Sequence, residues 1–332
     1  MINQSIDQVK KRLVAKFDLS IKSGKNVSVS LAYGLCRVDD RHADINIVCD
    51  KAMAAKALCK TRGDKHYGIF DKEVDEYYKR EKVLISEAER GMDNGEFIAY
   101  LQPKFDVITG KVVGAEALAR WLRPDGTLIM PGEFIRPMED HRMITHLDMC
   151  MLENVCAFLR NIIDAGIEPV TVSTNFSRLN TYTSDFVSEL SAAADKYDIP
   201  HDLIEVELTE TALELDKMTV IDIMAKIHNA GFRIALDDFG SGYSSFNMIC
   251  DGSFDVIKID KSMIDDIASS EKASFLIESI INIARRLGME VVAEGVETSE
   301  QMDVLHNAGC DTVQGFYTSP PVPEDDFIAF LK

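Results

Sequence analysis

From about residue 95 the chain repeats one unit, an amphipathic helix closed by a glycine and followed by a short β-rich run, and this alternation constrains the fold more than any other feature. Leu147, Met151, Val155, Phe158 and Ile162 recur at helical spacing ahead of Gly166 and PVTVSTN, as Val220, Met224 and Ile227 do ahead of Gly231 and FRIALDD. Leu276, Ile280, Ile283 and Leu287 precede Gly288 and EVVAEG, and a helix after Thr298 ends at Gly309 before DTVQGF. Glycine just past a helix supplies the left-handed residue of a C-terminal cap. Helix alternating with strand implies parallel pairing. With FIAYLQP, VVGAEALAR, LIEVELTE and DVIKID added, eight strands are expected between residues 97 and 316, which points to a TIM-like (β/α)8 barrel. The link DVITG between the first two is too short for a helical crossover, so the first strand is expected to be antiparallel and the barrel irregular at its start.

Before residue 80 the rhythm changes. A helix near 5–16, a strand near 27–35, a helix near 44–61, the short strand HYGIF and a charged helix from about 72 predict a small α+β unit. The expected division is therefore residues 1–80 and 81–332. No stretch approaches the ~20 apolar residues of a membrane helix, and the first residues lack the apolar core of a signal peptide. The cysteines at 36, 49, 59, 150, 156, 250 and 310 form no CxxC pair. Together these predict a cytoplasmic protein with reduced thiols and no membrane segment. The net charge of −19 argues against general nucleic-acid binding. An anionic substrate stays open provided metal ions supply the positive charge.

Chemistry in such a barrel sits at the C-terminal ends of its strands. Those ends carry Glu116, Asn175, Glu207, Asp237, Asp238, Lys258, Asp260, Glu294 and Gln314. One acid in such a place is ordinarily a helix cap or a surface charge. A convergent set of them would be mutually repulsive and calls for a bound cation. Hard oxygen donors with one carboxamide suit Mg2+ or Mn2+. Lys258 either serves this site or forms a buried pair with Asp260. The histidines, at 42, 66, 141, 146, 201, 228 and 306, avoid the strand ends, which disfavours a histidine-rich zinc hydrolase.

The motifs EALAR at 116–120, NFS at 175–177, ELTET at 207–211, DDFGSGYSS at 237–245, KID at 258–260, EGVET at 294–298 and QGF at 314–316 follow one another in family order. The chain from about residue 83 onward thereby resembles the EAL-domain cyclic-di-GMP phosphodiesterases. The resemblance implies that Glu116, Asn175, Glu207 and Asp237 hold one divalent ion, with Asp237 bridging to a second that Asp238 also binds. It casts Lys258 and Glu294 as the residues that position or activate the attacking water, and Gln102 and Arg120 as substrate contacts. Glu210 would steady the loop after Asp238, while Asp260, Glu297 and Gln314 support the site. Hydrolysis of cyclic di-GMP to linear 5′-pGpG by two metal ions is the implied activity, in a homodimer formed through the barrel. Residues 26–80 look like the C-terminal part of a GGDEF domain without its signature loop, so cyclase activity is not expected. The alternative is a receptor that binds cyclic di-GMP without cleaving it and signals through the N-terminal unit.

Overall fold

In a computed structural model of the chain, Gly166, Gly231, Gly288 and Gly309 have φ of 71°, 93°, 80° and 77°, the left-handed region that closes a helix. The structure describes residues 17–20, 26–29, 32–38, 42–62, 67–181, 183–209, 217–240 and 253–332. Two units divide the chain, Met1–Glu87 and Ala88–Lys332.

In the smaller unit, β1 (Phe17–Ser20) pairs antiparallel with β2 (Asn26–Val29). Strand β3 (Tyr33–Leu35) pairs in parallel with β4 (Tyr67–Ile69), and the helix Ile45–Arg62 provides the crossover. Ala54, Ala55, Leu58 and Val74 form its core, flanked by Phe70, Tyr77 and Tyr78. The helix expected near 5–16 lies outside the described residues. Among the described residues no helix is long and apolar enough to cross a membrane.

The larger unit is a closed barrel. Its staves are β5 (Phe97–Asp106), β6 (Val112–Leu122), β8 (Thr171–Asn175), β9 (Ile204–Thr209), β10 (Arg233–Phe239), β11 (Val256–Ile259), β12 (Glu290–Ala293) and β13 (Thr312–Val313), with β13 returning to β5. Short strands β7 (Leu128–Ile129) and β14 (Val322–Pro323) flank the ring on β6 and β5. Neighbours from β6 round to β13 are parallel. Strand β5 runs antiparallel to both of its ring neighbours, as the short DVITG link requires.

Outer helices cover the ring. Helix Ile144–Asp164 keeps the apolar stripe expected from the sequence, whereas in Glu271–Arg286 only Ile280 of the expected stripe is buried, and Leu276 and Ile283, with Leu287 just past its end, are exposed because the face turned to the ring lies one residue round the helix. The helix Ile144–Asp164 buries Leu147, Met151, Val155, Phe158 and Ile162, and Glu271–Arg286 buries Ile277, Ile280, Ile281 and Ala284. Each such side chain contributes roughly 1.5–3 kcal/mol by leaving water. Ala235, Val256 and Val292 form a small apolar cluster of β10, β11 and β12. Two residues further along these strands stand Asp237, Lys258 and Glu294. Because strand side chains alternate with a period of two, these polar groups share a face with the apolar cluster.

Candidate active site

Parallel staves bring their C-terminal ends to one rim, and the register decides which side chains meet there. Gln102 lies opposite Glu116, and Asn175 opposite Glu207. Strand β10 solves a harder problem, since the consecutive residues Asp237 and Asp238 would point to opposite faces of a regular strand. Its pairing with β11 shifts register between Leu236 and Phe239, and Asp238 takes a left-handed φ of 56°. The carboxylates therefore converge: one oxygen each of Asp237, Asp238 and Glu294 lies within 4.8 Å of the others. A non-glycine residue in that conformation costs about 1–3 kcal/mol and persists only where its surroundings hold it.

Lys258 stands among the acids. Its Nζ lies 2.8 Å from Glu207 Oε1, 2.9 Å from Asp237 Oδ1, 2.9 Å from Glu294 Oε1 and 3.4 Å from Glu116 Oε2. The buried pair with Asp260 considered from sequence does not form; Asp260 instead caps the following turn by accepting from the Ser262 N–H at 3.0 Å. Asn175 Nδ2 donates to Glu116 Oε1 at 2.9 Å, and Gln314 Nε2 donates to Glu116 Oε2 at 2.6 Å and to Gln102 Oε1 at 3.0 Å. Gln102 in turn donates to the Ser319 carbonyl at 3.2 Å. The segment bearing Gln314 is held close to the one bearing Glu294, because Gly315 leaves room that a Cβ would fill, 2.2 Å from Val296 O.

Charge crowding separates the acids. Burial resists ionisation of Glu116, but Lys258, Lys104 and the amide donors of Gln314 and Asn175 outweigh it and bring the carboxyl down to about 2. Burial and the charges of Glu116 and Asp237 lift Glu207 well above the usual carboxylate range, against the pull of Lys258. Burial takes Glu294 to about 7, and burial with the Asp237 charge takes Asp238 to about 6. Burial also disfavours the charge on Lys258, yet the surrounding carboxylates hold its pKa well above the ordinary lysine value.

Two of the acids are incompletely satisfied. Both oxygens of Glu207 and Asp237 Oδ1 are buried without a hydrogen-bond partner, so Lys258 approaches them as a charge and not along a directed bond. Orphaned carboxylate oxygens are costly. A hard divalent cation fits them, and the convergent oxygens of Asp237, Asp238 and Glu294 match its chemistry.

The remaining residues expected at the site lie around this centre. Arg120 is buried with its guanidinium over the Tyr100 ring at 5.2 Å, its Nη1 donating to the Ala119 carbonyl at 2.8 Å. Glu297 pairs with Lys261. Glu210 and residues 241–252 of the following loop lie outside the described residues.

Sequence reasoning missed two supporting groups. Lys104 on β5 is buried and pairs with Glu205 at 2.9 Å; the signal was its spacing of two from Gln102. Asp148 Oδ2 accepts from the Ser177 N–H and from Asn180 Nδ2, both at 2.7 Å, and so fixes the segment just after Asn175. Its signal was an acid beside Leu147 in an otherwise apolar stripe. Burial lifts Asp148 to about 7 against those two donors. A carboxyl raised from about 4 binds its proton more tightly when folded, so its stabilising contribution is complete below about pH 4 and is lost as pH rises through 7. Because both donors meet one oxygen, Asp148→Asn keeps an acceptor for them. The variant is expected to gain on wild type between pH 5 and pH 8, by on the order of 3 kcal/mol at the upper end, in chelator-treated protein followed by thermal unfolding. An unchanged difference across that range contradicts the buried-proton account.

The sequence profile of the EAL domain matches residues 85–321. The chain belongs to that family. The signalling protein YkoW of Bacillus subtilis is 31% identical over 330 residues, covering 98% of this chain and 41% of YkoW. RocR of Pseudomonas aeruginosa, named a cyclic di-GMP phosphodiesterase, is 30% identical over 248 residues, covering 75% of this chain and 63% of RocR. The chain thus spans about two fifths to just under two thirds of the length of these curated relatives. Among solved structures, the PaMucR phosphodiesterase in complex with c-di-GMP superposes with a TM-score of 0.69 at 28% identity, over 74% of this chain and 99% of that one. The EAL enzyme Bd1971 in its cAMP- and cyclic-di-GMP-bound form gives a TM-score of 0.72 at 27% identity, over 88% of this chain and 77% of that one. In this EAL domain the glutamate of the Glu-Ala-Leu signature is Glu116, the residue held by Asn175 and Gln314.

Proposed function

We propose that this chain is a cytoplasmic cyclic-di-GMP phosphodiesterase that yields linear 5′-pGpG and depends on two Mg2+ or Mn2+ ions. The convergence of Glu116, Glu207, Asp237, Asp238 and Glu294 on one rim carries the reading. The names of RocR and of the PaMucR complex support the choice of substrate. Glu116, Asn175, Glu207 and Asp237 would hold one ion, with Asp237 and Asp238 at the second. Bound there, the ions would neutralise the phosphodiester and activate water.

The chain's own residues divide the remaining work. Lys258, ringed by carboxylates, would act as a cation and donor beside the attacking water. Held 2.9 Å from Glu294, it would stand where charge develops on the phosphoryl oxygens and attacking water. Glu294, beside Lys258 and the Asp237–Asp238 pair, would accept the proton of that water. Gln102 and Arg120 would orient the nucleotide. Glu210 would steady the loop after Asp238, with Asp260, Glu297 and Gln314 supporting, in a homodimer formed through the barrel. The N-terminal unit would be a partial GGDEF-like remnant without cyclase activity. Incubation with Mg2+ and cyclic di-GMP, followed by chromatography, tests the reading. Appearance of pGpG supports it, whereas bound and unaltered cyclic di-GMP identifies a receptor.

A further inference from the structure

Lys104 is 5% exposed and lies one interior layer away from the acids of the rim. Its Nζ donates to Ser173 Oγ at 2.8 Å and to Glu205 Oε1 at 2.9 Å, and stands 3.6 Å from Glu207 Oε1. Glu205 and Glu207 are two residues apart on β9, so they share the interior face and Lys104 reaches between them. We propose that Lys104 is a positioning residue that orients the Glu207 carboxylate toward a divalent cation. The inference rests on the reading of Glu207 as a metal ligand.

Two ammonium groups face the same oxygen. Lys258 lies 2.8 Å and Lys104 3.6 Å from Glu207 Oε1, while Oε2 is buried with no partner. A carboxylate gripped on one side by cations presents its other oxygen as the open ligand atom. Lys258 is a poor sole anchor because Glu116, Asp237 and Glu294 compete for it. Lys104 is anchored outside the rim. Ser173 holds it and donates onward to the Ala115 carbonyl at 3.3 Å, and Glu205 is itself braced by Arg233 Nε at 3.5 Å. Gly114, opposite Lys104 in the β5–β6 pairing, lets β6 approach β8 closely, since a Cβ there would lie 3.0 Å from the Thr171 carbonyl.

Electrostatics alone predicts the opposite sign for the decisive variant. Lys104→Met combined with Glu205→Gln removes one positive and one negative charge, so the net charge is kept while the cation 3.6 Å from Glu207 Oε1 is lost. Loss of a nearby cation should tighten metal binding slightly. Loss of a positioning group should weaken it, by the 10–100-fold that outer-shell partners typically supply. Isothermal titration of Mn2+ into metal-free, full-length protein distinguishes them, with circular dichroism confirming the fold. A Kd raised about tenfold or more in the double variant is expected, with the weakened binding also moving the Mg2+ dependence of turnover to higher concentration. A Kd unchanged or lowered overturns the proposal. If the double variant does not fold, Ser173→Ala removes an anchor of Nζ and leaves every charge in place; a smaller rise in Kd supports the proposal and an unchanged Kd overturns it. Wild-type protein that takes up no Mn2+ would instead remove the metal reading itself, and Lys104 with it.

Discussion

Asp237→Ala is expected to reduce cyclic-di-GMP hydrolysis by at least about 10³-fold, because charge stabilisation by a bound ion is worth several kcal/mol and each 1.36 kcal/mol is tenfold in rate. Asp237 Oδ1 is buried, lies 2.9 Å from Lys258 Nζ and has no directed hydrogen bond, while its carboxylate belongs to the cluster with Asp238 and Glu294. Removing it should also reveal the ion thermodynamically. Saturating Mg2+ stabilises a folded binder by RT ln(1 + [L]/Kd), about 2.7 kcal/mol at a hundredfold excess over Kd. Thermal unfolding with and without Mg2+ should show that increment in wild type and little of it in the variant. In metal-free protein the variant should not be destabilised by crowding, since one of several repelling carboxylates is gone. Ca2+ should bind without supporting turnover, because its longer bonds and looser coordination suit the site poorly. Full activity in excess chelator, or in Asp237→Ala, would contradict the proposal.

Lys258→Met should lower kcat by about 10²–10⁴-fold, the usual span for a group acting on proton transfer and developing charge, with a modest change in substrate affinity. The ammonium is 1% exposed and touches four carboxylates, so its removal has a structural effect as well. Breaking a buried ion pair by deleting one partner costs about 3–5 kcal/mol. Metal-free Lys258→Met should therefore unfold at lower temperature, and Mg2+ should restore much of the lost stability by replacing the missing positive charge. Turnover should stay low in the restored protein. Recovery of both together would make Lys258 a counter-ion alone, and weakened substrate binding with unchanged kcat would make it a substrate clamp.

The larger unit was legible because its signals are local and repeated. Helices that precede Gly166, Gly231, Gly288 and Gly309 close on a left-handed glycine, and polar residues stand at or beside the strand ends of the rim. The inverted first stave was legible for the same reason, since five residues of DVITG cannot span a crossover. Lys258 illustrates where this stops. Its neighbour in sequence, Asp260, faces a helix turn, whereas its partners come from β6, β9, β10 and the end of β12. Residues distant in sequence meet only through barrel closure.

By itself, then, the sequence determined the barrel, its inverted stave and the presence of acids at the strand ends, because periodicity, chain reach and glycine stereochemistry act within a few residues. Tertiary structure decided which acid meets which cation. A register shift and a left-handed Asp238 turn two consecutive side chains to one site. Closure of β13 onto β5 brings Gln314 to Gln102 and Glu116. The layer containing Lys104, Ser173 and Glu205 exists only once β5, β8 and β9 share one ring, with β6 between β5 and β8. The physical reason is that a buried charge is tolerated only where partners from other strands offset its lost hydration, and those partners are assigned by register, which no single segment encodes.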